Sequence, residues 1–190
     1  MKKLQLTILA LSTSVLVACG GTPTKPSNDS SAAQSAVDSD KVTVVSVPQV
    51  AQIDKTKGPF SQAALSECTL TTQYTQLLQE HASESGINVT VVDTQEPTQQ
   101  GYFLLPTFTR IDSKGNPFIG HHKYTEMRLT LYKDGKKVST ADFGRLSGGG
   151  LFAGYKGSCS VLGRTVEANA EDTVMWLHSP VQGARFGDLN

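Results

Sequence analysis

Runs of hydrophobic and polar positions divide the chain into predicted strands and helices. Lys41 to Val47 (KVTVVSV) is β-branched and short and is stopped by Pro48, which predicts a strand. Ser61 to Ser85 predicts a helix. Within it Leu70, Tyr74, Leu77, Leu78 and His81 recur at helical spacing as one apolar stripe, and Gly86 follows as a left-handed stop. Ile87 to Val92 (INVTVV) predicts a second strand, and the helix between the two makes a parallel crossover natural. Three antiparallel strands are predicted next: Gly101 to Ile111, Lys123 to Lys133 and Lys136 to Leu146. In the middle one Met127, Leu129 and Leu131 alternate with Arg128, Thr130 and Tyr132, the pattern of a half-buried strand. Asp134-Gly135 is a tight-hairpin signal, Ser113 to Pro117 is a turn cluster, and Lys55 to Pro59 reads as a loop. Ser158 to His178 predicts a closing helix whose stripe is Leu162, Val166, Ala170, Val174 and Leu177; Ser179-Pro180 ends it.

The resulting order, β-α-β-β-β-β-α, predicts an α+β domain. It would be a two-layer sandwich, a mixed and mostly antiparallel sheet with two helices on one face. The folded domain is expected over 41–180, and the polar stretch 181–190 is expected to be a loose tail.

The first forty residues follow different rules. Met1-Lys2-Lys3 is positive, and the apolar run Leu4 to Ala18, about 15 residues, is shorter than the roughly 20 that a spanning helix needs. A positive start, a short apolar core and a small residue at its end predict a signal peptide over 1–18. Leu16-Val17-Ala18-Cys19-Gly20 resembles the lipobox of bacterial lipoproteins. That resemblance implies diacylglycerol on the Cys19 thiol, cleavage before Cys19 and acylation of the new amine. Gly20 after the cysteine resembles the outer-membrane address of Gram-negative lipoproteins, which implies the periplasmic face of that membrane. The remainder of 19–40 is almost all Gly, Thr, Pro, Ser, Asn, Ala, Gln and Asp, with single Lys25 and Val37 and little to bury, and reads as a disordered tether. Its mean reach is about 25 Å.

With these segments set aside, about 150 residues remain, a single domain by length. Removing Lys2 and Lys3 from the balance of 17 basic and 17 acidic residues leaves the mature chain near −2. Without a basic excess, nucleic acid is not an expected partner. If Cys19 carries lipid, Cys68 and Cys159 remain as an even pair in an oxidising compartment. A disulfide between them would close a loop of about 90 residues and contribute about 4–5 kcal/mol by chain entropy. The alternatives are two free thiols or a metal pair, for which no C-x-x-C spacing exists.

Candidate chemistry is sparse. The segment from Ser147 to Gly157 is glycine-rich and joins a strand to a helix. Gly148, Gly150 and Ala153 fit G-x-G-x-x-A, but the preceding strand is predicted antiparallel and no G-K-S/T follows. The segment reads as a connection whose Leu151, Phe152 and Tyr155 pack under the helix. A binding loop of Gly148, Gly149, Gly150, Phe152, Tyr155 and Lys156 is the sharper alternative. His121 and His122 are neighbours on a strand and point to opposite faces, so they cannot chelate one metal together. Tyr124, Glu126, Arg128 and Tyr132 share the strand face opposite the core. A solvated sheet face is the ordinary cause; a binding face is the alternative. No catalytic constellation, metal site or cofactor is expected.

The blocks Gly148 to Leu177 and Glu67-Cys68-Thr69-Leu70 resemble the paired-cysteine, glycine-rich signature of small, uncharacterised bacterial lipoproteins and secreted proteins, a domain of unknown function. The resemblance implies a fold and a cysteine staple, and no reaction. An anchor, a tether and a small α/β domain also resemble, in architecture, envelope lipoproteins that assist assembly or activate enzymes. The expectation is a non-enzymatic envelope lipoprotein that binds another envelope protein, with small-ligand or glycan binding and a cryptic hydrolase as the alternatives.

Overall fold

The structure is a computed structural model and describes residues 41–116, 120–148 and 157–189. The signal peptide, Cys19 and the tether expected over 1–40 lie outside the described residues, as do Gly149, Gly150, Phe152, Tyr155 and Lys156 of the glycine-rich segment.

Among the described residues the elements are β1 (Val44–Pro48), β2 (Gln52–Ile53), α1 (Gln62–Glu67), α2 (Leu70–Glu84), β3 (Asn88–Val92), β4 (Tyr102–Asn116), β5 (Gly120–Lys133), β6 (Lys136–Gly148), α3 (Ser158–Leu177) and β7 (Ala184–Gly187). The strands form one mixed sheet in the order β3-β1-β4-β5-β6-β7, and the short β2 also pairs with β4. β1 runs parallel to β3, as the crossover through α2 requires. The long strands β4, β5 and β6 are antiparallel. Asp134 and Gly135 both take positive φ (51° and 75°), the backbone of a two-residue hairpin, and Gly86 at φ 75° ends α2. The α+β two-layer architecture is as the sequence predicts.

The helices cover one face. Tyr74 and Leu78 of α2 and Leu162, Val166 and Ala170 of α3 meet Val45, Phe108, Leu129 and Phe143 of the sheet in a single buried core. A polar seam runs through it. Thr125 Oγ1 donates to Thr165 Oγ1 at 2.8 Å and accepts from Asn169 Nδ2 at 3.0 Å, and the Tyr74 and Thr173 hydroxyls lie 2.9 Å apart. Arg145 makes a two-pronged pair with Asp172, at 2.7 and 2.6 Å. Cys68 and Cys159 are joined, with Cα atoms 5.3 Å apart, so the disulfide ties the end of α1 to the first turn of α3.

Four expectations are corrected. The predicted helix over Ser61 to Ser85 is two helices, because Cys68 adopts extended backbone (φ −112°, ψ 138°) where its sulfur reaches Cys159. The strands β4 and β5 run past their predicted ends, since Ser113↔Lys123 and Lys114↔His122 continue the ladder through residues read as a turn. The two-residue β2 was not predicted; it takes up pairing with β4 at Thr107 after β1 leaves at Phe103. Pro106, which has no N–H to give, sits in that interval.

The fourth correction concerns the tail. Residues 181–190 were expected to be loose, yet β7 pairs in parallel with β6 from Ala141↔Ala184 to Gly144↔Gly187. Gly183 at φ 73° turns the chain back, Trp176 Nε1 donates to the Val181 carbonyl at 3.1 Å, and Phe186 stacks on Phe143 with ring centroids 4.9 Å apart. Phe186 and Ala184 pack on the core, and together with the backbone pairing to β6 they draw the segment onto the sheet.

Candidate functional site

The face of the sheet away from the helices carries Arg110 and Asp112 of β4, Tyr124, Glu126 and Arg128 of β5 and Asp142 of β6. How they reach that face depends on one irregularity. In β4, Leu104 and Phe108 point into the core, and plain alternation would send Arg110 and Asp112 after them. The register slips between Phe108 and Arg110: Phe108 pairs with Met127 and Arg110 with Glu126, leaving Thr109 as an extra residue. Past this bulge it is Ile111 that enters the core, and Arg110 and Asp112 face outward.

The outward residues form a compact cluster. The Arg110 guanidinium lies over the Tyr124 ring, 5.0 Å from its centroid, and its Nε donates to Asp112 Oδ2 at 2.9 Å. The Tyr124 hydroxyl donates to Glu126 Oε2 at 3.2 Å, and Thr109 Oγ1 donates to Glu126 Oε1 at 3.3 Å. Burial, and next the negative charge of Glu126, push the Tyr124 hydroxyl up to about 12.

The tail closes one side. Asp188 N–H donates to the Gly144 carbonyl at 2.6 Å, and Asp188 Oδ2 accepts from the Leu146 N–H at 2.9 Å. Leu189 then lies across Gly144. A Cβ at position 144 would stand 2.5 Å from the Tyr124 hydroxyl and 2.7 Å from Leu189 Cδ2, so only glycine lets these two side chains meet over β6. Arg110, Asp112, Lys114, His122, Tyr124, Leu146, Asp188 and Leu189 line an open cleft of about 500 Å³. Leu146 is 50% exposed at its rim.

The predicted binding face of Tyr124, Glu126, Arg128 and Tyr132 is therefore not one site. Tyr124 is a nearly buried wall of the cleft, with Glu126 behind it. Arg128 makes a two-pronged pair with Asp142, at 2.7 and 3.0 Å, and lines a separate depression of about 370 Å³ with Asp54 and Lys57. Tyr132 packs edge-on against buried Phe103 near the other end of β5, with ring centroids 6.4 Å apart.

Of the glycine-rich candidates, Gly148 ends β6 and Gly157 caps α3; the residues between lie outside the described residues. His122 lines the cleft, and among the described residues no three His, Cys, Asp or Glu side chains gather as a metal site. On the helix face, buried Lys123 donates to Ser113 Oγ at 2.6 Å, and burial pushes its amine below the ordinary lysine value.

Sequence reasoning passed over Arg110, Asp112, Asp188 and Leu189. Alternation misassigns the first two because nothing in FTRID marks the extra residue. The other two belong to a segment with one aromatic residue and no periodicity.

No protein-family model matches the chain, and no curated protein matches it. Among solved structures it is similar to a Xanthomonas campestris protein described as a member of DUF330, at 12% identity and a TM-score of 0.50, over 70% of this chain and 82% of that one. It is also similar to a minor lipoprotein from Acinetobacter baumannii, at 7% identity and a TM-score of 0.47, over 75% of this chain and 98% of that one. The likeness to the Xanthomonas structure is one of fold.

Proposed function

We propose that this chain is a lipid-anchored binding module of the bacterial envelope, held by Cys19, that recognises another protein through the cleft between Arg110, Tyr124, Leu146 and Leu189. The observation that carries this reading is the make-up of the cleft. It joins an arginine and an aromatic ring, the residue types enriched at protein interfaces, to a half-exposed leucine at an open rim. Charges of both signs, Arg110 and Lys114 against Asp112 and Asp188, supply the polar surround that fixes orientation.

A photo-crosslinking side chain placed at Leu146 in living cells tests it. The expected result is capture of one discrete partner from Leu146 and none from Val44, which is similarly exposed (54%) on the far strand β1. Capture of nothing at Leu146, or the same products from both positions, overturns the reading.

A second reading is supported by volume. About 500 Å³ is within the usual range of small-ligand sites, and two cationic side chains, Arg110 and Lys114, line it beside the His122 ring. An anionic envelope glycan or a small anion that fits should raise the melting temperature of the protein and fail to raise that of Arg110→Ala.

A further inference from the structure

The tail is seated on the sheet as a bound peptide would be. It lies along the edge of β6, and no strand lies beyond it among the described residues. Its backbone ladder runs from Ala141↔Ala184 to Gly144↔Gly187. Past each end of that ladder a side chain of the tail turns onto the backbone of β6. Gln182 Oε1 accepts from the Thr140 N–H at 3.0 Å, and Gln182 Nε2 donates to Thr140 Oγ1 at 2.8 Å. At the far end Asp188 Oδ2 accepts from the Leu146 N–H at 2.9 Å. Residues 182–189 thus close the edge from Thr140 to Leu146.

The segment also grips both faces of the sheet. Phe186 stacks on Phe143 on the helix side, whereas Leu189 lies over Gly144 beside Tyr124 on the cleft side. The crossing is made at Gly187, where φ is 76° and any Cβ would run into the Gly144 carbonyl. What fits this edge is therefore an aromatic residue, a glycine, an acid and an aliphatic residue, in that order. The hold is partial. Ala184 and Phe186 pack on the core but stay half-buried, Arg185 and Gly187 are exposed, and left-handed glycines, Gly183 and Gly187, bracket the segment. Short edge segments with few buried groups open at well below the cost of global unfolding.

We propose that the edge of β6 and the cleft form one acceptor groove for an extended segment of a partner protein, of the order aromatic, glycine, acid, aliphatic, and that the tail is its competitor in cis. The inference deepens the protein-binding reading of the cleft and rests on it. Strand addition at an exposed edge draws affinity from the main chain and specificity from the seats of the side chains. The seated tail marks both: Thr140 to Leu146 supply the main-chain groups, and Phe143, Gly144 and the Tyr124 wall supply the seats. One strand is exchanged for another, so β6 is left with no open hydrogen bonds in either state.

A fluorescent peptide copying residues 181–190 (VQGARFGDLN) is the probe. A tail held in cis competes at an effective concentration on the order of millimolar, which keeps a dilute peptide off the parent protein. Phe186→Ala and Leu189→Ala, each in the full chain, weaken the tail and should each tighten binding of the unchanged peptide on the order of tenfold. If one variant fails to fold, the other decides. A peptide carrying Phe186→Ala should bind neither variant. Equal affinity for the parent and the variants, or no binding to any of them, overturns the groove. A parent dimer that added peptide dissociates gives the groove to the tail of a second copy and overturns the partner. In living cells the Leu146 crosslink should capture several-fold more partner from Phe186→Ala than from the parent, through a segment of the stated order. Unchanged capture, or a captured segment of another order, overturns the acceptor groove and leaves the cleft reading standing. Capture of nothing from either protein overturns the cleft reading instead, and peptide binding then still decides the groove.

Discussion

Tyr124 of β5 and Gly144 of β6 occupy adjacent strands, and the hydroxyl of one fills the space where the other would carry a side chain, 2.5 Å from the missing Cβ. Leu189 shares that space, so strand, tail and cleft wall interlock at one residue. Gly144→Val should push Leu189 and the tail off β6 and cost about 1–3 kcal/mol, the usual range for overpacking. Urea unfolding would show the loss. Crosslinking from Leu146 in the same variant would show whether the cleft goes with it.

The staple between Cys68 and Cys159 closes a loop of 91 residues. Cys68→Ser and Cys159→Ser should each lower stability by about 3–5 kcal/mol, and the double variant should be no worse than either single one. Additive losses would mean that the two thiols stabilise separately. Mass spectrometry of the unreduced protein that found Cys68 free would remove the staple itself.

Two arginines on neighbouring strands should differ sharply. Arg145 faces Asp172, whose side chain is 2% exposed, whereas the Arg128–Asp142 pair stands open to solvent at 49% and 25%. Arg145→Ala would leave a buried carboxylate without its partner and should cost about 3 kcal/mol or more. Arg128→Ala should cost less than about 1 kcal/mol. Chemical denaturation of the two variants side by side checks the contrast.

Tyr124 gives the protein an alkaline signature. Its folded value of about 12 lies above the ordinary 10, so the neutral hydroxyl is favoured in the folded state. Stability from this group is fully present below pH 10, where the unfolded chain begins to lose the same proton, and declines as pH rises from 10 to about 12. Buried Tyr74 is raised as well, so the measurement is a difference. Tyr124→Phe should lose stability less steeply than the parent over pH 9–11 (approximate working range) in urea titrations. Parallel slopes would remove Tyr124 from the effect.

What could be read from the sequence follows the range of the interactions involved. The Asp134-Gly135 hairpin, the Gly86 stop and the stripe of α3 are written in neighbouring residues, and each is found where expected. The break at Cys68 depends on Cys159, 91 residues away, and no local propensity announces it. β7 rests on pairing with β6 and on Phe186 stacking on Phe143, contacts between distant segments made by a stretch that lacks strand periodicity. The outward face of β5 was legible because the strand alternates without interruption through Tyr124, Glu126 and Arg128, of which Tyr124 lines the cleft. Arg110 and Asp112 were not legible, because they lie beyond the slip in β4.

That slip makes the cleft a matter of counting. Thr109 works as a phase inverter: everything in β4 before it is read in one parity, and everything after it in the other. Deleting this one residue, with no change to any side chain of the cleft, would turn the far half of the strand over, driving Arg110 and Asp112 toward the core and Ile111 into water. Residues around such a point can be exchanged with local effects, whereas a one-residue change in length there exchanges the inside of the domain for its outside.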